Sequence, residues 1–145
     1  MEISDPISSV LANKSPKLWT ANPEDTVFHT IEKMSKRNVG ALPVVKDSAL
    51  IGIISERDYA REVILKGRSS KKTLVGEIMS EEVVTAAPTS SVQSSLELMT
   101  QHRICHLPVV NDTEVVGVIS IGDLVKDVIA IQQTTIEQLE NYIRM

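Results

Sequence analysis

Apolar residues along this chain fall in short blocks whose spacing alternates between helical and extended periods. Val27, Ile31 and Met34 recur at three- and four-residue intervals, which puts them on one face of a helix over residues 25–37. The blocks 41–46 and 50–55 are dense in β-branched residues and flank the polar stretch Asp47-Ser48-Ala49, so they predict two strands joined by a turn. A second helix is predicted from Ser55, and a short extended piece at 18–21 runs into a turn at Pro23. The predicted order is strand–helix–strand–strand–helix.

That order returns. Leu42-Pro43-Val44-Val45 reappears 65 residues on as Leu107-Pro108-Val109-Val110, and at the same offset Asp47 meets Asp112, Gly52 meets Gly117 and Asp58 meets Asp123. From Thr20 to Val63, 16 of 44 positions are identical to their counterparts without a gap, so the chain is a tandem duplication. The second copy has its extended piece at 83–86 and its last helix from Ser120. Its middle helix is predicted to start at Ser90, where Ser90-Ser91-Val92-Gln93 reads as a capping box. A copy of this size buries too little apolar surface alone, so the two are expected to pair sheet to sheet about a pseudo-twofold axis. The predicted class is α/β (α+β), with two β-α-β-β-α motifs at 17–65 and 81–130. A helical segment (1–16) precedes them, a basic linker (66–80) joins them, and a C-terminal helix extension (131–145) follows.

The two ends carry amphipathic patterns of their own. Ile3, Ile7, Val10 and Leu11 share one helical face. Val125, Ile129, Ile136, Leu139 and Ile143 recur at near-heptad spacing, interrupted by Gln132. Such a tail is expected to dock on its own domain; pairing of the tail with a second chain is the alternative.

Composition narrows the picture further. The 145 residues include 17 Val and 15 Ile but four aromatic residues, a balance that favours strands buried on both faces by helices. With 15 Lys+Arg against 19 Asp+Glu the net charge is −4, so general nucleic-acid binding is not expected. No apolar run nears the roughly 20 residues of a membrane span, and the acidic start does not read as a secretory signal. One cysteine, Cys105, excludes an intramolecular disulfide and a cysteine-based zinc cage. A cytoplasmic setting without membrane contact is the expectation.

The chemistry sits at the repeated corners. Ser55-x-x-Asp58 and Ser120-x-x-Asp123 each fall where a strand turns into a helix. A carboxylate there can accept both hydrogen bonds of a ribose cis-diol, while the serine hydroxyl and free helix N–H groups can serve ribose or phosphate oxygens. The same Ser-x-x-Asp is also an ordinary helix cap. Arg57, Arg61, Arg103 and His106 are candidates for phosphate, since Arg offers two parallel donors. Trp19 is expected in a core or interface, with stacking on a base as the alternative.

Taken together, Val-Gly-Ala-Leu-Pro-Val-Val with Gly-Ile-Ile-Ser-Glu-Arg-Asp, and Ile-Cys-His-Leu-Pro-Val-Val with Gly-Val-Ile-Ser-Ile-Gly-Asp, resemble a pair of cystathionine-β-synthase (CBS) domains. This tandem regulatory unit is often called a Bateman module. The resemblance spans about residues 18–130 and extends to small stand-alone proteins carrying Ser-Glu-Arg-Asp-Tyr followed by Gly-Arg-Ser-Ser-Lys. It implies adenosyl ligands, namely AMP, ADP or ATP, S-adenosylmethionine or NAD, with AMP favoured, bound in clefts between the copies. It further implies that each cleft joins the aspartate of one copy to the first strands of the other. The Asp123 cleft would then use Lys17, Trp19, Thr20, Val39, Gly40, Ala41, Val118 and Ser120. The Asp58 cleft would use Ile53, Ser55, Arg57, Val84, Ile104, Cys105 and His106, and is the less favoured because Cys105 and His106 replace the small pair Gly40 and Ala41.

Catalysis is not expected. Proteins with this module are sometimes described as related to inosine monophosphate dehydrogenase, whose chemistry needs a cysteine on a Gly-rich loop of a barrel domain. Here Cys105 precedes an apolar strand and reads as buried and inert. The sequence has no paired-His metal motif, phosphate-cradling glycine loop or Gly-x-Ser-x-Gly elbow. A regulatory nucleotide, a homodimer and an unidentified regulated protein are the expected partners; a dimerisation module with vestigial clefts is the alternative.

Overall fold

Two β-hairpins, one per repeat, carry the fold. In the computed structural model, which describes residues 4–14 and 17–144, β1 (Ala41–Lys46) pairs antiparallel with β2 (Ala49–Ser55). Likewise β3 (His106–Asn111) pairs antiparallel with β4 (Glu114–Ser120). Asp47 and Ser48 both take left-handed conformations, at φ 51° and 66°, which gives the tight turn whose twist suits a hairpin. Both hairpins shift register at the same place, between Val44 and Val45 and between Val109 and Val110. β4 packs against β1 and β2, so the hairpins meet face to face.

The helices are α1 (Ile7–Ala12), α2 (Val27–Arg37), α3 (Glu56–Tyr59), α4 (Val75–Ile78), α5 (Val92–His102) and α6 (Ile121–Arg144). A single wide turn, Ala60–Ile64, continues α3 with i to i+5 hydrogen bonding. α2 and α5 occupy equivalent places: Thr26 caps the first through the His29 N–H, and Ser91 caps the second through the Ser94 N–H. The cap expected at Ser90 is therefore displaced by one residue. The Ser90 hydroxyl accepts from the Ala87 N–H at 2.9 Å and so belongs to the preceding turn.

The first predicted strand of each repeat shrinks to one parallel bridge. Ala21 bonds to Pro43 and Val45 on β1, and Ala86 bonds to Pro108 and Val110 on β3. Pro23 and Pro88 follow two residues later, where the chain turns instead of continuing the ladder.

Each repeat has its own core, built from equivalent residues. Ala21, Val27, Met34, Leu42, Val44 and Ile54 fill the first; Ala86, Val92, Met99, Leu107, Val109 and Ile119 fill the second. The buried hydroxyls of Thr30 and Ser95, also equivalent, bond back to the carbonyls of Thr26 and Ser91.

Each core is completed by a helix from elsewhere in the chain. Val75 and Ile78 of α4 close the first core, whereas Ile7 and Val10 of α1 close the second. The backbone bonds match one for one. Val27 N–H donates to Thr73, Val75 N–H to Asp25 and Gly76 N–H to Pro23; Val92 N–H donates to Asp5, Ile7 N–H to Ser90 and Ser8 N–H to Pro88. The stretch read as a linker over 66–80 thus contains a core helix. α1 and α4 are structural equivalents 68 residues apart, although residues 5–14 and 73–82 share no identical pair at that offset. Two glycines let these helices approach. A Cβ at Gly52 would lie 2.6 Å from Met79 Sδ, and one at Gly117 would lie 2.6 Å from Leu11 Cδ2.

α6 departs from expectation. It runs unbroken to Arg144, and its tail does not dock: Val125, Ile129, Ile136, Leu139 and Ile143 are all exposed. Leu124 and Ile131 are its buried residues, which are too few to fold the last turns back onto the domain. Ile3, assigned to the N-terminal apolar face, lies outside the described residues.

Candidate ligand clefts between the repeats

The corner of the first repeat is a closed capping box. Ser55 Oγ accepts from the Asp58 N–H at 3.2 Å, and Asp58 Oδ2 accepts from the Ser55 N–H at 2.9 Å and from its hydroxyl at 3.0 Å. All of these bonds to the carboxylate use Oδ2; among the described residues no hydrogen bond engages Oδ1. Capping and ligand binding are therefore compatible at this carboxylate.

A cavity of about 480 Å³ opens beside this corner. Its lining joins Ile53, Ser55, Arg57 and Asp58 of the first repeat to Val84, Ile104, Cys105 and His106 of the second. Arg61 and Arg103 line it too, so all four phosphate candidates share one space. Arg57 Nη1 donates to the Arg103 carbonyl at 2.9 Å and ties one wall to the other. Cys105 is exposed, which corrects the reading of a buried thiol: it precedes β3 and stands at the rim of the apolar layer. Glu56, Ser80, Glu82, Val83 and His102 also line the cavity and were not anticipated. Ser80 and Glu82 belong to the α4 crossing, which has no signature in the 65-residue repeat.

Gly40 lines this cavity and not the Asp123 cleft to which it was assigned. A Cβ there would sit 3.3 Å from His106 Cε1 and Nε2, so the bare backbone makes room for the imidazole. Burial holds the His106 pKa below its ordinary 6.5; Lys14 adds to the depression, while Glu56 and Asp123 oppose it. Near neutral pH this ring offers a neutral N–H donor, and the positive charge for a phosphate rests with the arginines.

The second cleft is built differently. At its corner the Asp123 N–H donates to Ser120 Oγ at 3.1 Å, and Asp123 Oδ2 accepts from the Ser120 N–H at 2.8 Å. The same Oδ2 also accepts from Lys14 Nζ at 2.7 Å, and Lys14 bonds the Val118 carbonyl at 2.8 Å as well. Burial works against ionisation of Asp123, but these donors outweigh it and hold the carboxyl below its ordinary value.

A cavity of about 420 Å³ lies alongside and is lined by Lys17, Trp19, Val39, Ala41 and Val118 of the expected set. Thr20, Ser120 and Asp123 do not line it; the Thr20 carbonyl takes a hydrogen bond from Lys33 at 2.6 Å, and Asp123 turns to Lys14. The unanticipated lining includes Lys14, Lys36 and Arg37. Lys36 and Arg37 end α2, where cations suit the helix dipole, and that placement was available from the sequence. Lys14 was not, because nothing in the repeat assigns residues 5–14 to the second copy. Trp19 stacks under the Arg37 guanidinium, 3.9 Å from the ring centroid, with Lys17 at 5.8 Å.

Among the described residues no cluster of three or more His, Cys, Asp or Glu could hold a metal ion, and no helix is long and apolar enough to cross a membrane.

Comparison with known proteins places this architecture. The CBS domain model matches twice, at residues 7–65 and 75–130, and each match spans one whole repeat. The CBS domain-containing protein CBSX3, mitochondrial, of Arabidopsis thaliana is 42% identical, covering 97% of this chain and 73% of that relative. A solved protein with CBS domains from Burkholderia ambifaria is 43% identical with a TM-score of 0.84, covering 87% of this chain and 95% of that one. Another CBS domain pair, solved in complex with 5′-methylthioadenosine and S-adenosyl-L-methionine, is 26% identical with a TM-score of 0.75, covering 84% of this chain and 94% of that one. Two matching copies that face each other across paired clefts make the conclusion plain: the chain belongs to the CBS-domain family, as a tandem pair.

Proposed function

We propose that this CBS pair is a non-catalytic sensor that binds an adenosyl ligand between its repeats and passes energy or redox state to a partner protein. AMP is the favoured ligand, with ADP, ATP, NAD and S-adenosylmethionine as further members of the class. The observation that carries the reading is the Asp58 cleft. There one cavity gathers a carboxylate with an uncommitted oxygen, apolar walls at Ile53, Val84 and Ile104, and three arginines contributed by both repeats. A ribose diol fits the carboxylate, the flat base fits against the apolar walls, and phosphate fits the guanidinium groups. The solved pair holding 5′-methylthioadenosine and S-adenosyl-L-methionine supports the ligand class. Binding at this cleft would bridge the repeats and relieve repulsion among Arg57, Arg61 and Arg103, which supplies the differential affinity that a conformational signal requires.

Calorimetry with AMP, ATP, NAD and S-adenosylmethionine tests the proposal. AMP is expected to bind, and Asp58→Asn is expected to weaken it by about tenfold or more. Absence of binding by all four would overturn it in favour of a second reading, a dimerisation module. The exposed apolar residues of α6 favour that second reading.

A further inference from the structure

The two corners differ in one group. At Asp123 the Lys14 ammonium sits on the carboxylate; at Asp58 no cation does among the described residues. The position equivalent to Lys14 across the α1/α4 correspondence is Glu82, which lines the Asp58 cavity, so the charge is inverted between the clefts. Lys14 is held in place from behind. Ile7 and Val10 anchor α1 in the second core, Leu11 lies against Gly117, and the Lys14 N–H closes the helix end on the Leu11 carbonyl at 3.0 Å. The same lysine also lines the second cavity, whose charged lining among the described residues is Lys14, Lys17, Lys36 and Arg37, with no carboxylate.

We propose that Lys14 is a specificity residue: paired with Oδ2, it neutralises the carboxylate that a ribose would use, and it favours a ligand whose own anionic group can share the ammonium. The inference rests on the adenosyl reading of the clefts. The physical reason is charge balance. A neutral nucleoside brings two hydroxyls to a carboxylate whose charge Lys14 already offsets through Oδ2, and it brings nothing for the ammonium. A phosphorylated nucleoside satisfies both groups, because its phosphate meets Lys14 beside three further cations. The second cleft therefore selects nucleotides over nucleosides, and the Asp58 cleft carries no such gate.

NMR titration reads the second cleft separately, through the amides of Gly117 and Val118. In the wild-type protein AMP is expected to bind there at least about tenfold more tightly than adenosine. In Lys14→Gln adenosine should bind more tightly and AMP more weakly, each by about fivefold to tenfold, and the preference should collapse. Lys14→Arg, which keeps the charge, should retain it. Adenosine affinity unchanged in Lys14→Gln while AMP still binds the wild type would overturn this inference alone. Failure of both ligands to shift these amides in either protein would overturn the adenosyl reading of this cleft and the inference with it. Without ligand, the Asp123 carboxyl should titrate at higher pH in Lys14→Gln than in the wild type; an unchanged titration would remove the latch itself.

Discussion

His106 stands where the two repeats touch, against the bare backbone of Gly40 and within the fields of Lys14, Glu56 and Asp123. Its burial makes the stability of the fold depend on pH, and it also walls the first cleft. In the folded chain it holds its proton less tightly than in the unfolded chain, where the ordinary value is 6.5. Between that value and the lower folded one, the unfolded state binds more protons, so stability falls as pH drops through the window. His106→Gln is expected to flatten the dependence of melting temperature on pH across that range, and equal slopes in the two proteins would count against it. The residue types at the site were legible in the sequence, since Asp58, Arg57, Arg103 and His106 all meet in one cavity. Their loading was not. Whether a carboxylate is free or already paired, as at Asp123, depends on a lysine more than 100 residues away.

At the scale of elements, the β-branched blocks and the 65-residue repeat disclosed the hairpins and the paired helices α2 and α5, because identical residues there do identical packing. They did not disclose the crossing of α1 and α4, which rests on apolar spacing without a single shared identity and on a different offset. The crossing predicts where damage travels. Ile7→Ala removes a fully buried side chain from the second core, and a change of this kind typically costs about 2–5 kcal/mol. Hydrogen exchange should therefore quicken in α5, β3 and β4, some 85 or more residues along the chain, while β1 and β2 keep most of their protection. Loss of protection confined to the first hairpin would contradict the assignment of α1. Val75→Ala should show the converse pattern.

For the molecule as a whole, the undocked face of α6 bears on the state of association. Val125, Ile129, Ile136 and Leu139 expose a stripe of the kind that is normally covered, and a second copy of the helix is the cover proposed here. Light scattering is expected to give twice the 15.9 kDa chain mass, and Ile129→Ser with Leu139→Ser to return it to the single mass. A wild-type monomer at tens of micromolar would refute the pairing. The crossing of α1 and α4 also bears on how the chain comes to be folded while it is being made. α1 leaves the ribosome first, yet its proper groove needs Leu124, which is made last among its core partners. The groove meant for α4 needs nothing beyond Val63, so its residues leave the ribosome before Val75 and Ile78 do. For that interval α1 faces an empty site shaped for its own equivalent, and nascent chains grow at only about 5–20 residues per second. An α1 seated there would have to be displaced by the later helix. Gly52 and Gly117 are the same residue at equivalent places and admit either helix, so the side chains that differ, Met79 against Leu11 among them, must set which groove each helix keeps. In a duplicated chain, order of birth and final address are separate problems, and the shared glycines leave the second to the residues that have diverged.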